Sequence, residues 1–188
     1  MKSIIKKAEL CVAFFWGLAE ASLFFVVPDV WLTIICRHQL NKAKYQAIGF
    51  TILGALVGGT IVYWLASLYP RQMLKLIVEV PGIDGAMVDE VRVQLGTSGL
   101  VALMLGPLRG IPYKIYAAQW GITNGSLIWF WLISIPARGI RFIIAMVLTR
   151  LIWIFGSEKV KLWNRLDLVL LLLFWVLFYL WYFSYFGW

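Results

Sequence analysis

The chain has 188 residues, 62% of them apolar and 14% charged, where soluble domains run at roughly 45–50% apolar and roughly 25% charged. With a mean hydropathy of +0.85, this excludes a water-soluble globule and predicts a single membrane domain of a few spans over residues 1–188. The formal charge of +8 does not read as nucleic-acid binding, because the basic residues flank or interrupt apolar runs instead of forming a stripe on a polar face.

In short loops these cations act as topology determinants and as contacts to anionic lipid headgroups. Abundant Trp, Tyr and Phe suit the membrane–water interface and packing against lipid. Cys11 and Cys36 lie in apolar context without CxxC spacing, which predicts free buried thiols rather than a disulfide or a zinc site.

Lys2, Lys6 and Lys7 precede the first apolar region. Ala19-Glu20-Ala21 has the small-x-small form of a signal-peptidase site, but Leu23-Phe24-Phe25-Val26-Val27 resumes at once and reads as continuing membrane structure, so no cleavage is expected. Leu10 to Cys36 is cut by Glu20 and by Pro28-Asp29 into pieces too short for one clean span. A broken span and a re-entrant hairpin both fit. Arg37, His38, Lys42 and Lys44 match the basic N-terminus, and the positive-inside rule then selects a hairpin with both ends cytoplasmic.

Ala47 to Leu68 carries no charge and is long enough, at about 1.5 Å per residue, to cross a core of about 30 Å. Its Gly54-x-x-x-Gly58 would let another helix approach closely, although ordinary small-residue packing explains it equally well. Residues of about 8–68 thus form one unit, hairpin then span. Between 70 and 98 two apolar stripes (Met73, Leu74, Leu76, Ile77, Val80, then Met87, Val88, Val91, Leu95) flank a Pro81-Gly82 turn and predict short interfacial helices.

Gly99 to Ala118 repeats the theme around Gly106-Pro107-Leu108-Arg109-Gly110-Ile111-Pro112, a second hairpin entered from the outside. Leu127 to Leu148 has span length, carries Arg138 and Arg141, and reads as broken at Pro136. This second unit covers about 99–150. Arg150, Lys159, Lys161 and Arg165 form a cytoplasmic loop, and the span at 166–186 ends in an aromatic girdle of Trp181, Tyr182, Tyr185 and Trp188. The expected fold is therefore an all-α integral membrane protein: an inverted repeat of re-entrant helical hairpin plus transmembrane helix, with interfacial helices and a C-terminal transmembrane helix. Its N-terminus would be cytoplasmic.

Charges at membrane depth cost roughly 2.5–3.5 kcal/mol each on insertion scales and usually serve function. Six candidates stand out: Glu20 and Asp29 in the first hairpin, Arg109 and Lys114 in the second, and Arg138 with Arg141 three residues apart on one helix face. They could pair off as buried salt bridges that tie the hairpins together. Four cations against two anions leave an excess that an anionic headgroup would fill, and arginine's planar fork suits phosphate. Glu20 is a candidate for proton coupling, since burial raises and arginine lowers a carboxyl pKa.

A lipid-phosphate enzyme is the rival from another class. The chain has no HExxH, no GxSxG and no paired-Asp metal motif, and His38, its one histidine, stands in a basic loop. No cofactor or metal is expected. A non-transporting scaffold or assembly factor is the other rival, and a homo-oligomer is compatible with either reading.

At these residues the sequence resembles the DedA superfamily of membrane proteins, which share the VTT (SNARE-associated) domain. Over roughly residues 17–121, Glu20 through Pro28-Asp29 is similar to the family's hairpin motif. Gly54-Ala55-Leu56-Val57-Gly58-Gly59 through Tyr63 is similar to its glycine-rich helix, and Arg109-Gly110-Ile111-Pro112 through Ala117-Ala118 to its Arg-x-x-Pro block. Two departures stand out. Gly59 replaces a usual acidic residue, and Ile115, with Lys114 beside it, replaces a second Arg. The resemblance implies the inverted hairpin fold, a bacterial inner membrane, and movement of an anionic lipid such as a polyprenyl phosphate or a phospholipid across the bilayer as a flippase or scramblase, often linked to the proton motive force. It implies Glu20 and Asp29 as the coupling pair and Arg109 as a headgroup contact.

Overall fold

In the computed structural model the described residues, 2–159 and 163–187, form an all-helical bundle. Lys161 and Trp188 lie outside them, as do the side chains of Lys2, Lys6, Lys159 and Arg165. The helices are α1 (Lys2–Ser22), α2 (Asp29–Cys36), α3 (Lys42–Leu68), α4 (Pro70–Val78), α5 (Gly85–Ser98), α6 (Leu100–Leu105), α7 (Tyr113–Ile122), α8 (Leu127–Lys159) and α9 (Trp163–Phe186), with a 3₁₀ turn at Gly106–Arg109 between α6 and α7. Three are long and apolar enough to cross a membrane: α3, α8 and α9. Many large apolar side chains on α8 and α9 are exposed, Ile128, Leu132, Phe174 and Trp181 among them. A water-facing surface does not tolerate so large an apolar area, whereas a bilayer covers it.

α3 is the centre. Asn41 caps its N-terminus, accepting hydrogen bonds from the backbone N–H groups of Ala43 (3.1 Å) and Lys44 (3.3 Å), and Asn41→Ala should lower stability by about 1 kcal/mol. A thermal unfolding midpoint unchanged in detergent would refute that. α1 lies along α3 in parallel. Lys44 Nζ meets Glu9 Oε2 at 2.7 Å at one end, and farther along Gly54 abuts the backbone of Phe14 and Leu18, and Gly58 the carbonyl of Leu18. The Gly54-x-x-x-Gly58 spacing thus has its partner, and that partner is α1. A Cβ at Gly54 would have to occupy the space of the Phe14 carbonyl.

α2 folds back beside them. Trp31 stacks on Trp16 at 6.4 Å between ring centroids, and its indole N–H donates to the Glu9 carbonyl at 3.3 Å. Leu32 and Cys36 pack with Ala13, Ala47 and Ile48. α2 therefore ends at the level where α1 emerges, here called the near end. Glu20 does not interrupt α1, which runs on to Ser22. Instead, residues 23–28, including the apolar run from Leu23 to Val27, form the non-helical turn. Pro28 sets the far limit of this turn, since it disfavours helical geometry at the residue before it.

α8 runs antiparallel to α3. Phe130 approaches Tyr63 (6.4 Å between centroids), Phe142 and Met146 join Ala13 and Ala47, and Trp153 meets His38 at the near end (5.4 Å). Pro136 does not break it: α8 is one helix of 33 residues with Pro136 inside. A proline removes one backbone donor and crowds the carbonyl four residues back, yet long intramembrane helices tolerate it where neighbouring groups satisfy what is freed. Pro28, Pro107 and Pro112, by contrast, do stand at breaks, before α2, in the 3₁₀ turn and before α7.

α4 and α5 cover α7. Met73, Ile77, Val80, Met87, Val88 and Val91 are buried in the same core as Tyr113, Ile115 and Tyr116, with Leu74 and Leu95 partly buried against it, so most of both stripes faces protein, while Leu76 is exposed. Between them Gly82 adopts φ +79° under the ring of Tyr182, whose hydroxyl donates to the Gly82 carbonyl at 3.2 Å. Tyr182 therefore turns inward, while its girdle neighbours Trp181 and Tyr185 are exposed. Of the two cysteines, Cys36 is buried, but Cys11 is exposed on the outer face of α1.

Candidate functional site

Five of the six ionisable candidates, Glu20, Asp29, Arg109, Lys114 and Arg141, line one cavity of about 520 Å³. It lies where the turn between α1 and α2 meets the turn between α6 and α7. The aromatic face of α9, with Phe178 and Tyr179, and the α4–α5 turn close its sides.

The first turn has lost its helical hydrogen bonds, and side chains from three elements replace them. Lys114 Nζ donates to the Phe24 carbonyl at 2.7 Å, Trp16 Nε1 to the Val26 carbonyl at 3.0 Å, and the Val27 N–H donates to the Tyr179 hydroxyl at 2.8 Å. Non-helical backbone inside a membrane persists only where protein or a water-filled cavity satisfies it in this way. The second turn is built on Gly110, at φ +89°, a left-handed conformation that side chains with a Cβ rarely adopt.

Glu20 and Arg138 form a buried ion pair through Oε2 and Nη2. Arg138 is 1% exposed, lies behind the cavity, and stacks its guanidinium over Tyr113 (4.5 Å to the ring centroid) and Phe142 (5.4 Å). These rings offer their negative faces to a cation whose Nε and Nη1 have no hydrogen-bond partner. One turn nearer the near end, Arg141 Nη2 meets Asp29 Oδ2 at 2.9 Å. The three-residue spacing of the arginines on α8 matches the two acidic residues of the first hairpin, one on each side of its turn.

Pairing accounts for two of the four cations. Lys114 is 2% exposed and spends its hydrogen bond on a neutral carbonyl. Arg109 was expected to be buried but is exposed at the cavity. It makes no hydrogen bond or ion pair among the described residues. It stands at the last position of the 3₁₀ turn, next to Gly110, which is exposed as well. The cavity thus carries two cations beyond the carboxylates, an electrostatic complement to an anion.

Sequence reasoning passed over Tyr113, Ser134 and Tyr179. Tyr113 forms the floor beneath Arg138 and donates its hydroxyl to Ser134 Oγ at 2.9 Å, while Tyr179 holds the hairpin turn. Tyrosines in apolar runs were counted as interfacial aromatics, and a polar tip facing inward leaves no periodic signal. Gly59 lies under the stacked rings of Tyr113 and Phe130 (5.5 Å between centroids). An acidic side chain there would collide with Tyr113. Ile115 is fully buried, so an arginine at that position would enter the core rather than the cavity.

Fold and site together define a helical integral membrane protein with a cationic, aromatic-walled cavity built on two helix breaks. Comparison with models of known protein families, with curated proteins and with solved structures finds no match.

Proposed function

We propose that the chain moves an anionic lipid across the bilayer, as a flippase or scramblase, with the cavity between the two helix breaks receiving the phosphate of the headgroup. The observation that carries this reading is the pair of cations that make no salt bridge among the described residues, Arg109 and Lys114, on a cavity walled by α9. A soluble anion would need a polar entrance, whereas α8 and α9 touch each other sparsely and show apolar faces outward. A lipid could enter from the side with its chains left in the bilayer.

Topology supports the same reading. Leu18 and Ala21 of α1 pack on Gly58, ten residues before the end of α3 at Leu68, and α1 ends at Ser22, about one turn farther on, a shortfall of about 9 Å. α1 and α2 thus serve as a re-entrant hairpin. The turn between α6 and α7 lies level with Gly59, and α7 runs from it toward Tyr63 and the far end. One hairpin with α3 and the other with α8 then form an inverted repeat, with the site at the repeat interface. The resemblance to DedA proteins, including a bacterial inner membrane and a cytoplasmic N-terminus, belongs to this proposal. Glu20, Asp29 and the Arg-x-x-Pro block from Arg109 to Pro112 are its carriers and lie around one cavity. Proton coupling would require Asp29 or Glu20 to release its arginine.

The test is transbilayer movement of a labelled phospholipid and of a polyprenyl phosphate in proteoliposomes, with and without a pH gradient. Arg109→Ala removes an exposed side chain and should leave the fold intact. Losing one charge-assisted hydrogen bond of about 1.5–3 kcal/mol predicts a rate roughly tenfold lower or more. Folded wild-type protein that moves neither lipid would overturn the reading in favour of a scaffold, and chemically altered lipid would point to an enzyme.

A further inference from the structure

A second cavity, of about 420 Å³, lies at the near end of the seam between α8 and α9. Its lining includes Arg37, whose Nε donates to Asp167 Oδ2 at 3.0 Å, and is otherwise mostly apolar, with Thr33 and Thr149 among its residues.

The two cavities share the walls of the same three helices. On α2, Asp29 lines the far cavity and Thr33 the near one; on α8, Arg141 lines the far one and Ala145 the near one. Each step is four residues, about one helical turn. On α9, Phe178 belongs to the far cavity and Leu171 to the near one, and between them Phe174 and Trp175 line both. The cavities are therefore stacked end to end, and these rings separate them. Trp175 is held in place: its Nε1 donates to Thr33 Oγ1 at 3.0 Å, and that hydroxyl donates to the Asp29 carbonyl at 2.7 Å. Indole nitrogen is a donor only, so the latch has one orientation.

We propose that the two cavities are the two halves of one route for a phosphate-bearing lipid headgroup, and that Trp175, latched by Thr33, is the gate between them. This rests on the lipid-movement reading above. Charged residues stand in both chambers, so a headgroup leaving Arg109 and Lys114 would next meet Thr33 and Thr149 and then Arg37. A permanently open polar path would leak ions. A ring that closes the path at rest and swings aside meets both requirements, and α9 is suited to carry it because it packs only sparsely on α2 and α8.

Two readouts test the gate. In proteoliposomes holding fluorescent phosphatidylglycerol, Trp175→Ala and Thr33→Val should raise transbilayer movement severalfold, and Ala145→Trp, which fills the near cavity without removing a charged side chain, should stop it. The second readout needs no transport. With Cys11→Ser and Cys36→Ala in place, Thr149→Cys should react with a membrane-impermeant maleimide added at the far face only when Trp175→Ala is also present. If wild type moves lipid and all three variants move it at the same rate, the route is overturned while the lipid reading stands. If no folded chain moves lipid, that reading fails and the labelling decides the gate: far-face labelling that ignores Trp175 overturns it.

Discussion

Glu20→Gln is expected to destabilise the folded protein by about 3–5 kcal/mol, the range seen when one partner of a buried ion pair is removed. The pair deserves that figure because Arg138 is 1% exposed and two of its nitrogens already lack hydrogen-bond partners. The amide oxygen of a glutamine could still accept from Arg138, but no negative charge would balance it beyond the faces of Tyr113 and Phe142. Replacing both members, Glu20→Gln with Arg138→Met, removes the stranded charge along with its partner and should recover most of the loss. The measurement is the thermal midpoint in detergent of wild type, both single variants and the double variant. Single variants that melt with wild type would show the pair to be hydrated, and a double variant as unstable as the singles would show that volume rather than charge matters.

Gly54→Val should prevent folding altogether, while Gly49→Val, five residues earlier in the same helix, should be nearly neutral. The contrast follows from what each Cβ would meet. At Gly49 nothing lies within 4 Å, but at Gly54 the new atom would occupy the place of the Phe14 carbonyl. Overpacking against flexible side chains costs about 1–3 kcal/mol, whereas here the obstacle is backbone, and α1 would have to leave α3 along their whole contact. α1 carries Glu20 and the hairpin turn, so the cavity would go with it. Comparable yields of monodisperse protein for the two variants would show that α1 does not depend on this close approach.

Much of the fold was legible in the sequence, and the physical reasons are local. The uncharged run from Ala47 to Leu68 could only be a span, since nothing in it needs water. Pro28, Pro107 and Pro112 each forbid a helical hydrogen bond, so the breaks around them were visible as breaks. Pro136 shows the limit of that rule, because whether a proline breaks a helix or is carried inside it depends on neighbours that no window of sequence contains. The excess of cations over carboxylates was likewise countable in advance.

Pairing was not. That Glu20 takes Arg138 and Asp29 takes Arg141, leaving Lys114 to a backbone carbonyl and Arg109 exposed, follows from contacts across 112 and 118 positions of chain, and charge alone allows any of the combinations. Composition and local chemistry by themselves determined that this is a helical membrane protein with broken helices and a surplus of embedded positive charge, because solvent preference and backbone hydrogen bonding are properties of each residue with its near neighbours. Only the tertiary structure decided that the breaks meet, that the surplus lines a cavity, and that Tyr179 and Trp175 line it too while Tyr113 lies beneath Arg138, because the direction in which a side chain points is set by the helices packed around it.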